Sequence, residues 1–293
     1  MATALTEFYG DIMLYVPGCP KPLVDRYLLS AVRDFCSYTG VWKTMLSPID
    51  TIVVEEASDI AFVSGSPCTI TSVTTDFSTS GLVAGDIILT NHNSSDDDEK
   101  SNTGPFTIAT AGVAAHVLTL ESTDRLATVS AGDAITISKM EYALTSSLGD
   151  ICKILEAKFM GNSIAAKTDD ELDITVPGWR TQLSASPYGF IVDMARKYIR
   201  LVPAPYEAVN NGLEVWAVLK PLTTATTIQD FLYNEYKETI SHGTIARICL
   251  VPGQQWSNPQ QAQISNLFYI QGRNKAWKEA NRGLTKANFQ LRA

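Results

Sequence analysis

The stretch PKPLVDRYLLSAVRDFCSYTG, Pro20 to Gly40, reads as one amphipathic helix. Pro20 and Pro22 stand where proline is tolerated, at a helix start, because the amide hydrogen it lacks has no partner there. Leu23, Tyr27, Leu28, Val32, Phe35 and Cys36 then recur every three or four residues, which lines them along one side. Gly40 offers a C-terminal stop. A helix with one apolar side must bury it, and the next segment, Ile49 to Glu55, is β-branched and strand-like. The chain is therefore mixed from the outset.

From Ala57 to Lys139 the texture changes to short Thr-, Val- and Ile-rich runs separated by Gly, Ser, Asn and Asp. Strands are expected at Ile60–Val63, Cys68–Val73, Asp86–Thr90, Phe106–Ala109, Val117–Glu121 and Ala134–Ser138, spaced as in an all-β barrel or sandwich. A weak internal echo, Ala84-Gly85-Asp86-Ile87-Ile88-Leu89 against Ala131-Gly132-Asp133-Ala134-Ile135-Thr136-Ile137, suggests two Gly-Asp turns that each feed a strand. The loop Asn91 to Thr103, with acids at Asp96, Asp97, Asp98 and Glu99, reads as a solvated tip.

Mixed patterns resume afterwards. Ile151–Phe159 is strand-like, and Thr168 caps an acidic helical turn to Leu172. Val176–Thr181 turns around Pro177-Gly178, Gly189–Met194 and Tyr198–Val202 form a hairpin-like pair, and Leu213–Leu219 is a strand ended by Pro221. Thr226 and Thr227 are expected to cap a helix on which Ile228, Phe231, Leu232, Tyr236 and Ile240 share a face, followed by Ile245–Leu250. Ser257 with Pro259 starts a last helix carrying Ile264, Leu267, Phe268 and Trp277. The fold class predicted is α+β: a helical core with a small β-sheet, interrupted by an inserted all-β barrel-like domain. Its parts are a discontinuous host (1–56 and 140–272), the insertion (57–139) and a basic tail (273–293).

With 293 residues, 45% hydrophobic and 18% charged, the chain is long enough for a real core and poorer in charge than the usual value of about 25%. Its net charge of -8 argues against broad adhesion to nucleic acid or an anionic membrane. Cys19, Cys36, Cys68, Cys152 and Cys249 form no close pair and read as reduced, mostly buried thiols. Met1 to Gly10 lacks the basic front of a signal peptide, and the uncharged stretch Ser101–Leu120 is broken by Asn102, Gly104, Pro105 and His116. No membrane span is expected.

Catalytic patterns are scarce. His92, His116 and His242 fall in a polar loop, a β segment and a helix, so no Ser-His-Asp or Cys-His arrangement follows. There is no His-Glu-x-x-His, no Cys-x-x-Cys and no Gly-rich phosphate loop. Asp96 to Glu99 lack the alternating spacing of a calcium loop. Acid pairs for glycoside hydrolysis can be drawn from the β insertion, as from any acidic domain. The expectation is a protein that is not an enzyme and holds neither cofactor nor metal.

One polar feature has direction. From Arg273 onward six basic residues face one acid, so the remaining chain must carry -13. One reading is a solvated helix end whose cations complement the helix dipole. The other is a docking segment, with Arg273, Lys275, Lys278, Arg282 and Lys286 as polar contacts and Phe289 and Leu291 as apolar anchors.

YVPGCPKPLVDRYLLSAVRDFCSYTGVWK (Tyr15–Lys43), TDDELDITVPGWRT (Thr168–Thr181) and FLYNEYKETISHGTIARICLVPGQQWSNPQQAQ (Phe231–Gln263) resemble, in order and spacing, segments of the head-to-tail adaptor (connector) proteins of tailed, especially short-tailed, bacteriophages. The insertion resembles small β modules of phage virion proteins. The Asp-rich loop and separate β domain depart from the smallest adaptors.

This resemblance implies a structural virion protein of the head-tail neck, assembled in the host cytoplasm as a homo-oligomeric ring, usually a dodecamer. Its partners would be the portal protein, gripped by the C-terminal segment, and a tail or nozzle protein. Double-stranded DNA would pass through the channel without specific binding, since acidic walls repel phosphate, and no membrane is involved. Two alternatives stay open: another neck or tail ring such as a stopper or nozzle, and a carbohydrate-binding or carbohydrate-cleaving tail protein that uses the β insertion.

Overall fold

The computed structural model describes residues 2–92 and 102–282. In chain order its strands are β1 (Ala2–Ala4), β2 (Lys43–Met45), β3 (Val53–Ala57), β4 (Ala61–Val63), β5 (Thr69–Thr71), β6 (Ile87–Asn91), β7 (Gly104–Ala114), β8 (Val117–Leu120) and β9 (Ile135–Lys139). Then come β10 (Glu141–Ala143), β11 (Asp150–Phe159), β12 (Asn162–Ala166), β13 (Leu183–Ser184), β14 (Gly189–Asp193), β15 (Tyr198–Val202), β16 (Ala204–Pro205), β17 (Leu213–Lys220) and β18 (Thr227–Gln229). The helices are α1 (Tyr9–Ile12), α2 (Lys21–Thr39), α3 (Asp169–Thr175), α4 (Asp230–Cys249) and α5 (Pro259–Arg282). The fold is α+β. Its contacts define two compact units, one of Met1–Thr44, Ser146–Lys153 and Ala217–Ala293 and one of Met45–Thr145 and Ile154–Trp216.

The first unit is helical. α2 starts at the Pro20-Lys21-Pro22 step and ends at Gly40, whose φ of 64° is left-handed and whose amide donates to Cys36 O at 3.0 Å. Its inner side buries Val24, Leu28, Ala31, Val32, Phe35 and Cys36 against Leu232, Ile240, Ile245 and Ile248 of α4 and its neighbours. Each fully buried Leu, Ile or Phe contributes roughly 1.5–3 kcal/mol. The start of α4 differs from the expected cap: Thr227–Gln229 forms β18, paired antiparallel with β1 (Ala2↔Gln229, Ala4↔Thr227), and the helix begins at Asp230. With a strand beside them, the β-branched Thr227 and Ile228 satisfy their backbone in a ladder instead of a first helical turn. Thr3 Oγ1 donates to Asp230 Oδ1 across 2.6 Å at that junction. At α5 the capping side chain is Asn258, one residue beyond Ser257, with Oδ1 accepting from the Gln261 amide at 3.1 Å.

The second unit holds the β-rich segment. β3-β9-β6-β7-β8-β5-β4 form one seven-stranded sheet in that order. It curls into a half-barrel whose outermost strands, β3 and β4, are not neighbours in the order. The expected barrel is thus an open, curled sheet. The bend lies in the long β7, where the register with β8 shifts between Ile108 and Val113 and Ala111 takes a φ of 58°. Gly112 is required there because a Cβ would lie 2.4 Å from Thr119 O. Ile60, Phe62, Ile70, Phe77, Ile88, Ile108, Leu118, Leu120, Ile135 and Ile137 fill the concave side. The two echoed turns place Gly85 and Gly132 at φ of 84° and 151°, ahead of β6 and β9, which pair with each other. The strand expected over Ile49–Glu55 begins at Val53, while Ile49 makes only an isolated bridge to Leu213.

Elsewhere in this unit Thr168 Oγ1 accepts from the Glu171 amide and caps α3, and β14–β15 is an antiparallel hairpin with Asp193 opposite Tyr198. All five cysteines of the chain are free, four of them buried.

Candidate interaction surfaces

Within the helical unit α5 turns a stripe of Ala262, Ser265, Tyr269 and Ala276 inward. Small residues let the helices approach closely: Gly243 of α4 lies under the Tyr269 ring, and Gly272 lies against Thr239. The Tyr269 hydroxyl donates to Asp34 Oδ2 of α2 at 2.6 Å, and the same oxygen receives Arg247 at 3.1 Å and Arg273 at 3.3 Å. The Arg273 guanidinium also stands 3.9 Å from the centre of the Tyr38 ring. Burial, and then the hydrogen bond and charge of Asp34, push the Tyr269 phenol well above its ordinary range.

The large apolar residues of α5 do not join that stripe. Ile264, Leu267, Phe268 and Trp277, the apolar residues named on this helix from the sequence, are exposed by 50, 59, 51 and 46%. Each helical residue steps about 100° around the axis, so Phe268 and Trp277, nine apart, stand on opposite sides. The wheel places Ile264 with Phe268 and Ile270 with Trp277. The unit therefore has two unlike flanks.

Each flank carries a groove. One, of about 370 Å³, runs between Asp34, Ala246, Arg247, Leu250, Ile270 and Arg273. The other, of about 470 Å³, lies between the end of α1 and α4, edged by Leu14 and Tyr15 and by Asp11, Lys237, Glu235 and Glu238. Its floor holds Ser241 and His242, and the His242 ring stacks on Phe268 at 5.0 Å. Lys237 is paired with Asp11 at 3.0 Å, which leaves Glu235 and Glu238 exposed on the rim.

Buried polar atoms normally find partners, since an unmet one costs about 1–3 kcal/mol. Among the described residues four buried side-chain atoms have none: Ser241 Oγ, His242 Nδ1, Arg273 Nε and Trp256 Nε1. Three of the four belong to groove-lining residues, so the strain is concentrated on the two flanks.

The residues predicted to dock divide accordingly. Arg273 is half-buried and engaged inside the chain with Asp34 and two tyrosine rings. Lys275, Lys278 and Arg282 are exposed and stand along one stripe of α5, that of Ile264 and Phe268. Lys286, Phe289 and Leu291, and the acids Asp96 to Glu99, lie outside the described residues. The sequence reading missed Asp34, Tyr269, Ser241 and His242. Only the juxtaposition of Gly243 with an aromatic a helix away gives these roles, and spacing alone does not carry it.

His92, Asp86 and Glu141 of the second unit are engaged with other groups of the chain. His92 is buried, with Nδ1 accepting from the Asn102 amide at 3.3 Å, which leaves Nε2 to donate to Asp133 at 3.1 Å. Asp86 pairs with Lys139 at 2.7 Å, and Glu141 is held by Arg196 and Arg200. Each of these buried carboxylates is thus compensated by a cation beside it. Among the described residues no group of His, Cys, Asp and Glu could hold a metal ion, and no helix is long and apolar enough to cross a membrane.

Comparison with protein-family models gives no match, and no curated protein matches the chain. The surfaces above must speak for themselves.

Proposed function

We propose that this chain is a structural subunit of a phage neck, forming a ring that joins the portal to the tail and continues the DNA channel. The observation that carries the proposal is the pair of unlike apolar flanks on α5. A two-fold dimer uses one patch twice, whereas a ring needs two different patches on different sides of each subunit. Ile264 and Phe268 on one side and Ile270 and Trp277 on the other meet that requirement.

On this reading the helical unit is the adaptor core and residues 57–139 are its β insertion. The resemblance of Tyr15–Lys43 and Phe231–Gln263 to adaptor segments covers α2 and α4, which build the flanks with α5. Lys275, Lys278 and Arg282 lead into the basic segment 283–293 and grip the portal, while Arg273 serves the core. The acidic remainder keeps DNA moving by repelling phosphate. The test is to mix purified protein with portal rings and record negative-stain images and light scattering. A ring-bearing complex is expected; protein that stays separate and monomeric overturns the proposal.

A further inference from the structure

We propose that the groove edged by Leu14, Tyr15, Glu235 and Glu238 is the socket for a second copy of this chain, entered by that copy's Ile270 and Trp277 flank. The inference rests on the self-association reading above and deepens it by naming both halves of the contact. Two features of the socket select this occupant.

The first is charge. The socket is lined by Asp11, Glu235 and Glu238 against a single lysine, Lys237. The opposite flank presents Arg247 and Arg273 around a single acid, Asp34. Opposite groove linings on opposite sides of one subunit attract in successive copies. The second is shape and polarity. Leu14 is 79% exposed and, with Tyr15 and Ile245, gives an otherwise polar groove its apolar wall. A volume of about 470 Å³ admits a large aromatic side chain, and Trp277 and Ile270 are the exposed apolar residues on the far side of α5. A half-exposed tryptophan beside arginines has the composition of an interface anchor.

The test replaces Leu14 with a benzoylphenylalanine photocrosslinker in the full-length chain, mixed from light and isotopically heavy copies, alone at high concentration and on portal rings. Mass spectrometry then separates crosslinks between copies from those within one. Crosslinks between copies to the 270–277 stretch are expected. Capture of residues 283–293 or of any other surface of the second copy overturns the socket but leaves ring formation standing. Crosslinks confined to single chains overturn both. In parallel, Trp277→Ala and the exposed double variant E235K/E238K should each weaken self-association about thirtyfold or more with unchanged circular dichroism, and unaltered association would contradict the proposal.

Discussion

Tyr269 Oη donates to Asp34 Oδ2 across 2.6 Å, tying α5 to α2 at the oxygen that also receives Arg247 and Arg273. The bond sits beside one of the two flanks, so it fixes where Trp277 and Ile270 stand. The two substitutions at this bond should not be equivalent. Tyr269→Phe removes one hydrogen bond to a charged acceptor, about 1.5–3 kcal/mol. Asp34→Ala strands two arginines as well, and should cost more than Tyr269→Phe in urea unfolding, because both cations lose their partner. Equal losses would show that the arginines draw nothing from Asp34.

Alkaline pH should loosen the same bundle. Tyr269 and Tyr236 titrate above the ordinary tyrosine value of about 10 because burial disfavours the phenolate, and Tyr9, partly buried and beside Asp25, is pushed up to about 12. Groups raised in this way contribute full stability below pH ~10, and lose it as the unfolded chain ionises first and pH climbs toward the folded values. Unfolding midpoints measured from pH 8 to 12 should be flat and then fall above about 10, less steeply in Tyr269→Phe. A fall equally steep in that variant would remove Tyr269 from the account.

Gly243 offers a test of sign. Alanine favours an isolated helix by about 1 kcal/mol over glycine, yet a Cβ at 243 would lie 2.6 Å from the Tyr269 ring. Gly243→Ala should therefore destabilise, by roughly 1–3 kcal/mol as other overpacking does. Thermal unfolding that shows a gain would mean that α4 and α5 are not this close.

On the docking proposal, the basic segment is dispensable for the fold. Deleting Thr285–Ala293 removes residues beyond the end of α5 at Arg282, so circular dichroism and melting should be unchanged while portal binding in pull-down is lost. Unchanged binding would assign the grip to Lys275, Lys278 and Arg282 alone.

Much of this architecture was legible in the sequence where the signal is local. Pro20, Pro22 and Gly40 bound α2, Thr168 caps α3, and Gly85 and Gly132 open their strands, because turn and cap chemistry acts within four residues. The α4 start was misread because its competitor, β1, lies more than two hundred residues away in sequence. α5 misleads for a related reason. Ile264, Leu267, Phe268 and Trp277 have the hydrophobicity of a core, but the close contacts with Gly243 and Thr239 admit small residues and one tyrosine, leaving the large ones outside. Hydrophobic periodicity reports which side wants burial; it does not say whether the partner is the same chain or another. The charge partition was visible from composition, whereas the pairing of Arg273 with Asp34 required the bundle to be assembled.

Unlike flanks meeting between successive copies is the central claim, and the most direct measurement is the image of this protein assembled on portal rings at a resolution that shows helices. A closed ring in which the Ile264 and Phe268 side of each copy faces the Ile270 and Trp277 side of the next is the predicted result. Two-fold pairs with like flanks together, or copies bound to the portal without touching one another, would contradict it.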